Sequence, residues 1–428
     1  MEPLPAAHIA GLTPVDVSVK FYDDRIEPIP FDELTDLVAI SVETYTAKRS
    51  YQIATEYRRR NIPVVMGGFH PTLVPEEVLE YAEAIVVGEA ENCWGELVSD
   101  FKAGKLKRVY KSPSRPDITK TVPDRSIFDG KKYLPVGLVE AARGCTFKCD
   151  FCVIQTYFES TQNRRSTEII IKEIEGLKKS KKLFFFVDDN IVSHPKLAKE
   201  FYKSLIPLKI KWVSQATITM THDEELLSIL KESGCQGVLI GFESLNPRNL
   251  KSMNKNFNNL GGGIQVAIQK LNKYNIRLYA TFVFGYDEDT LQSFDDTIEF
   301  CIQNKIFMVA FNHLTPFPGT PLYKRLEEEG RLLYKKWWLD DRYFYGQVPF
   351  RTNLDPEIIQ KECVKARKKF YGFNSIFKRL FSQTNSKNFY MLRAYLFINL
   401  LLRREATLRE NYPLGDLSFQ GELVKVGM

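Results

Sequence analysis

No stretch of about 18 consecutive apolar residues occurs in the chain, so no membrane-spanning helix is expected. The amino terminus, Met1-Glu2-Pro3-Leu4-Pro5, has no basic region followed by an apolar stretch. No secretory leader is therefore expected, and the cytoplasm is the expected location. Of the seven cysteines, Cys93, Cys235, Cys301 and Cys363 stand alone, which excludes a disulfide framework. The other three stand close together as C-x-x-x-C-x-x-C at Cys145, Cys149 and Cys152, with no second pair and no nearby histidine. Structural zinc usually takes four ligands in paired spacings, so this pattern disfavours it. Three thiolates on one tight loop hold three corners of an iron–sulfur cube. No further cysteine follows until Cys235, which leaves one iron open to another ligand. Such thiolates also fit a reducing compartment.

What the chain does have describes a core-forming globular protein: 428 residues, 44% hydrophobic and 26% charged, with room for two or three domains. Its charge is uneven. Residues 331–428 hold 18 Lys and Arg against 9 Asp and Glu, a net of +9, whereas the rest of the chain carries a net of −3.

Two series of alternating strands and helices precede that tail. In residues 1–125, strands are predicted over 15–22, 37–43, 62–67 and 84–88, with helices over 47–61, 75–82 and 91–103. Alternation of this kind predicts a doubly wound parallel sheet whose ligand loops lie at the carboxyl ends of the strands. Those loops are Ser41-Val42-Glu43-Thr44, Gly67-Gly68-Phe69-His70-Pro71-Thr72 and Gly88-Glu89-Ala90-Glu91. A basic, proline-bearing connector, 105–120, leads to residues 126–330. Strands are predicted there over 135–142, 183–187, 211–217, 237–242, 277–285 and 308–314. Ser166 is placed to cap the first intervening helix. Six such units predict an open (βα)6 barrel with its chemistry at the strands' carboxyl ends.

The cysteine loop, Arg143-Gly144-Cys145-Thr146-Phe147-Lys148-Cys149-Asp150-Phe151-Cys152, resembles the signature of the radical S-adenosylmethionine (SAM) superfamily. The resemblance implies a [4Fe–4S] cluster on Cys145, Cys149 and Cys152. It implies SAM bound through its open iron, cleavage to a 5′-deoxyadenosyl radical, and an electron donor such as a flavodoxin or ferredoxin. It places SAM contacts at Asp188, Asp189 and Asn190, at Gln215, at Glu243 and Ser244, and at Gly285. The first region resembles the cobalamin-binding domain found upstream of the radical domain in a large subfamily. That likeness implies cobalamin contacts at Ser41, Thr44, Gly67, Gly68, His70 and Gly88. It also implies a flavodoxin-like domain lacking its first strand, since the chain begins at the helix that normally follows it. The D-x-H-x-x-G motif that supplies an axial histidine elsewhere is replaced by Tyr22-Asp23-Asp24-Arg25-Ile26-Glu27.

The expected fold is thus α/β: a cobalamin-binding-like domain (1–125), a radical SAM partial barrel (126–330) and a mostly helical, basic region (331–428). The function the resemblance implies is methylation of an unactivated carbon. Ring formation or rearrangement without cobalamin, and a non-enzymatic iron–sulfur sensor or scaffold, stand as alternatives. No catalytic side chain is assigned; Tyr22, Tyr157, Tyr279 and Tyr286 are radical or proton partners only if they are not packing residues. In the tail, Trp337-Trp338 and the amphipathic stretch 389–404 predict either a lid over the barrel or contact with an anionic membrane surface. Nucleic acid ranks last for want of a motif. The substrate is an undetermined small molecule, lipid or peptide.

Overall fold

A computed structural model describes the whole chain except Gln383, Arg409 and Met428. Helix α1 (Leu4–Leu12) leads through an irregular segment to β1 (Val38–Ser41), α2 (Ala47–Arg58), β2 (Val64–Gly67), α3 (Phe69–Leu73), α4 (Pro75–Val78), β3 (Ala84–Val87), α5 (Trp94–Lys102) and β4 (Val109–Lys111). The four strands are parallel and lie in sequence order, β1-β2-β3-β4, with Ile40 beside Met66 and Met66 beside Ile85. Both faces are covered, as a parallel sheet requires. Val64, Met66 and Ile85 pack with Tyr51 of α2, whereas Val65, Ala84 and Val86 pack with Trp94 and Leu97 of α5.

Residues 15–22 do not form the strand their alternation predicts. Val15 and Val19 are exposed, while Val17 packs beside α5 and the Phe21 ring meets Phe128 edge-on. The segment joins no ladder and is tacked down by Val17 and Phe21. The sheet has no gap, because β1 pairs directly with β2, with Val38 beside Val64 and Ser41 beside Gly67. The connector contains a strand that the sequence pattern did not show. It is β4, only three residues long, preceded by Lys107 and Arg108 and ending in Lys111, the kind of charge that guards an exposed edge.

The second series runs β5 (Val136–Val139), β6 (Ala142–Gly144), α6 (Val153–Tyr157), β7 (Gln162–Arg164), α7 (Thr167–Leu177), β8 (Leu183–Phe186), α8 (Pro195–Leu205), β9 (Trp212–Ala216), α9 (Glu224–Glu232), β10 (Cys235–Glu243), α10 (Pro247–Ser252), α11 (Gly263–Lys273), β11 (Arg277–Phe284), α12 (Leu291–Gln303) and β12 (Met308–His313). Strands β5, β8, β9, β10, β11 and β12 form one all-parallel sheet in that order. This is the expected open six-stranded barrel. Alternation sorts the two faces. In β9, Trp212, Ser214 and Ala216 are buried beneath the helices, while Val213 and Gln215 remain half-exposed on the concave side. The expected strand 135–142 is split: β5 joins the barrel, and β6 turns away to pair antiparallel with β7.

The tail carries α13 (Pro321–Glu328), α14 (Pro356–Phe370), α15 (Phe373–Leu380) and α16 (Phe389–Glu405). Two expectations for it are corrected. Trp337 and Trp338 are 0% and 2% exposed and complete the core of the first domain against Tyr51 and Tyr81, so neither indole reaches lipid or substrate. Their Nε1 groups donate to Pro316 O and Glu77 Oε1, each at 2.8 Å, which satisfies the polar end of a buried indole. Helix α16 does not lid the barrel mouth. Asn399 and Arg379 bond to the carbonyls of Ile306 and Phe307, just before β12, and Tyr390 lies under Lys211, just before β9. The α15–α16 pair therefore closes the amino-terminal end of the barrel. Among the described residues no helix is long and apolar enough to cross a membrane.

Candidate functional site

The cysteine loop leaves β6 through Gly144, whose φ of +96° only glycine adopts freely. A Cβ there would lie 2.1 Å from Thr161 O. Cys145, Cys149 and Cys152 are all free thiols. Burial pushes Cys149 up to about 12; Lys255 pulls it down, while Cys152, Glu243 and Cys145 push it further up. The three sulfurs are thus close enough to repel as thiolates. Among the described residues no three His, Cys, Asp or Glu gather tightly enough for a single metal ion, whereas a cube takes each thiolate on a different iron. The donor set fits a cluster. Cys235 opens β10 at its amino end and Cys301 lies in α12, so neither supplies a fourth ligand.

The three polar residues after β8 brace this loop. Asp188 Oδ1 accepts from Ala141 N at 2.7 Å, and Asp189 Oδ2 accepts from Gly144 N at 2.7 Å. Asn190 Nδ2 points at Cys145 Sγ at 3.6 Å, while its Oδ1 accepts from Val192 N and Thr217 N. Burial pushes Asp188 up to about 7 and Asp189 up to about 6, against the backbone bonds that favour their charged forms. Asp188 is 1% exposed and turned to backbone, whereas Asp189 is half-buried and engages only Oδ2 in its backbone bond. Gln215 faces the concave side of the barrel.

At the end of β10 the register shifts between Gly241 and Glu243, and Glu243 sits at a φ of +62°. A non-glycine residue held there costs about 1–3 kcal/mol. The kink aims the Glu243 carboxylate at Lys255 Nζ, 2.6 Å away, with Thr281 Oγ1 at 3.4 Å. Gly241 makes room, since a Cβ on it would stand 2.1 Å from Glu243 Oε1. Lys255 is buried beside two of the cysteines, and its paired charges raise its pKa against the penalty of burial. The sequence reading missed it, because 254–257 shows no periodicity that would mark a lysine as internal. Ser244 accepts from Asn246 N at 3.0 Å, a turn contact and not an open site. Gly285, at a φ of +124°, donates to Asp289. Of the tyrosines, Tyr286 donates to Asp150 Oδ1 at 2.6 Å within the cysteine loop, Tyr279 faces the concave side, and Tyr22 donates to Glu33 away from the mouth.

The carboxyl ends of β1, β2 and β3 approach the same place. Gly68 has a φ of +106° and packs so tightly that a Cβ would meet Val42 O at 3.0 Å; beside Gly88, at +82°, a Cβ would meet nothing within 4 Å. Ser41 is exposed there, and Gly67 ends β2 beside Val86. These strand ends fit a bulky ligand approached by backbone. Thr44 and His70 do not join them. His70 is wholly enclosed, with Nδ1 3.3 Å from Thr44 Oγ1 and Nε2 3.2 Å from both Tyr51 OH and Glu77 Oε1. Its ring ties α2, α3 and α4 together, and Thr44 is buried beside it.

A largely buried ionic seam clamps the two ligand loops together. Glu89 takes Arg115 at 2.7 and 3.2 Å, and Arg143 reaches Glu89, Glu91 and, at 2.8 Å, Glu140. Burial opposes the charge on Glu140, but Arg143 and His8 outweigh it and hold its pKa at about 2. Phe69, one residue past the glycine pair, packs on Tyr157, five residues past Cys152, with ring centroids 4.6 Å apart.

A parallel-sheet domain presses its glycine loop onto the three-cysteine loop of an open barrel, and that architecture defines a class. The chain belongs to the radical SAM superfamily, in the branch of cobalamin-dependent radical SAM methyltransferases. Residues 139–301 match the family described as the radical SAM superfamily, residues 7–98 the B12 binding domain, and residues 320–395 a domain of unknown function, DUF4070. The bacteriochlorophyllide d C-12(1)-methyltransferase of Chlorobaculum tepidum is 33% identical over 413 residues, 94% of this chain and 88% of that one. The hopanoid C-2 methylase of Rhodopseudomonas palustris is 26% identical, covering 76% of this chain and 64% of its own length. Among solved structures, the cobalamin-dependent SAM radical enzyme OxsB superposes with a TM-score of 0.62 at 14% identity, over 88% of this chain and 64% of that one. The methyltransferase TsrM from Kitasatospora setae gives 0.57 at 18%, over 70% and 65%. The chain thus spans a little under two thirds of the length of these two solved proteins, and their likeness is one of fold.

Proposed function

We propose that the protein transfers a methyl group from SAM to an unactivated carbon of a large conjugated ring, of the tetrapyrrole class. One observation carries the reading: the glycine loop of the first domain and the cysteine loop of the barrel meet at one mouth, with Phe69 against Tyr157. A methyl carrier and a radical source must reach the same carbon, and this apposition supplies that proximity. Cys145, Cys149 and Cys152 would hold the cluster, which would supply the electron for SAM cleavage, and Ser41, Gly67, Gly68 and Gly88 would line the site of a cobalamin, which would supply methyl transfer to a carbon radical. The chain's own residues do the rest. Asp189 and Asn190 fix the cysteine loop, Lys255 and Glu243 place a buried charge pair beside it, and the half-exposed concave face of the barrel receives the substrate. A flavodoxin or ferredoxin is the proposed electron donor. The tetrapyrrole class rests on the names of relatives that act on bacteriochlorophyllide d at two positions.

The test is anaerobic reconstitution with iron, sulfide and hydroxocobalamin, followed by methyl-labelled SAM, a low-potential reductant such as dithionite or reduced flavodoxin, and a bacteriochlorophyllide as substrate probe. Labelled chlorin, S-adenosylhomocysteine and 5′-deoxyadenosine are expected in equal amounts over many turnovers, and labelled chlorin and 5′-deoxyadenosine vanish in Cys149→Ala. Formation of 5′-deoxyadenosine with no S-adenosylhomocysteine, and no cobalt retained after desalting, would replace methylation by a cobalamin-free rearrangement.

A further inference from the structure

The closed end of the barrel bears a surface that the chemistry at the mouth does not explain. On and just after α15, Phe373, Phe377 and Phe381 recur at every fourth residue, and on α16 Phe389 and Phe397 point outward; all five are 60–72% exposed. Tyr390, Leu400 and Leu401 add to the same outer face. The inner face of α16 is fixed by Met391, Tyr395 and Asn399, with Tyr395 donating to Ile376 O at 2.8 Å. The helix is therefore firmly seated, and its exposed rings do not result from loose packing. An outward row of phenylalanines is costly to leave in water unless it has an occupant.

The charge around these rings identifies the occupant. Residues 363–404 contain ten Lys and Arg and not one Asp or Glu. One of the ten, Arg379, is buried and structural. Lys378, Lys387, Arg393, Arg403 and Arg404 are exposed among the rings. Arg403 lies over the Phe373 ring at 4.2 Å and Arg393 over Phe389 at 5.6 Å. Guanidinium groups laid along aromatic rings, with apolar prongs between them, match the boundary between headgroups and acyl chains, where rings insert and cations meet phosphate. An acidic electron carrier fits less well. The surface covers the amino ends of the strands while the cysteines follow their carboxyl ends, and the nine residues of β10 span about 30 Å.

We propose that α15 and α16 dock the enzyme on an anionic lipid bilayer, closed end down, with the cofactor mouth facing away from the membrane. The anchor is interfacial, because no described helix spans.

Vesicle flotation of the full chain decides the matter, with phosphatidylcholine vesicles set against phosphatidylcholine–phosphatidylglycerol vesicles at low and high salt. The protein is expected to float only with the anionic vesicles and to be released by salt. Each cation near such a surface contributes about fivefold to binding, so R403E/R404E should lose at least roughly thirtyfold. F377A/F397A, which removes prongs without altering charge, should also stay at the bottom. Both variants should keep the cluster's visible absorbance and SAM cleavage, which separates a lost dock from a lost fold. Failure to float with anionic vesicles at low salt overturns the proposal, as does flotation that neither variant changes. A wild-type dimer by light scattering that F377A/F397A makes monomeric, without flotation, would assign the surface to a second copy of the chain.

Discussion

Asp188 shows how one buried carboxyl couples pH to the integrity of the site. In the fold its pKa is pushed up to about 7 by burial, against about 3.9 in an unfolded chain. The folded state therefore binds the extra proton between those values. The contribution of the side chain to stability is complete below about pH 4 and is lost as pH rises through about 7. Asp188→Asn keeps an acceptor for Ala141 N and removes the titration. The variant is expected to gain on the wild type by about 1 kcal/mol between about pH 6 and pH 8. Anaerobic urea midpoints at the two pH values measure the gap, and a gap that does not move shows that Asp188 does not titrate between them in the fold.

At the scale of the element, the glycine pair after β2 divides its labour. Gly68 serves the backbone: its positive φ and the 3.0 Å approach to Val42 O make Gly68→Ala a loss of about 1–3 kcal/mol. Gly67 serves the ligand: a Cβ there would meet only Val86 Cβ at 3.6 Å, ordinary contact. Gly67→Val should leave the thermal midpoint within a few degrees of wild type yet lose cobalt on desalting. If Gly67→Val retains cobalt as well as wild type, the cofactor does not pass over β2. The sequence made these loops legible because buried parallel strands read as continuous apolar runs ending in glycine, and the cysteines because their spacing is rigid. It could not show that Asp188 and Asp189 accept from Ala141 N and Gly144 N, since those are contacts across some 45 residues to backbone, which has no letter of its own. Residues 15–22 misled for a related reason: alternation reports two faces, but a strand also needs a neighbour.

In the whole molecule, the chain returns to where it began. Trp337 and Trp338 fill the first domain's core, and the last residues lie along α2. There Arg49 meets Asp416, Arg58 bonds to Lys425 O, and Val424 N donates to Thr55 Oγ1. Trp338→Ala removes a buried indole and one donor to Glu77, a loss of about 3–5 kcal/mol. Because that core adjoins the glycine loop, cobalamin retention should fall with the melting temperature. A variant that melts as wild type does would show that Trp338 is not part of that core.

The same return has a consequence for synthesis. A ribosome releases the first sheet long before it makes the two tryptophans, so Tyr51, Met66 and Tyr81 emerge with part of their packing still untranslated. The nascent first domain must wait, its apolar face uncovered, until the entire barrel has been made. The domain that comes first in the sequence is thus among the last to finish folding, and in a crowded cell that interval is when the chain most needs a chaperone.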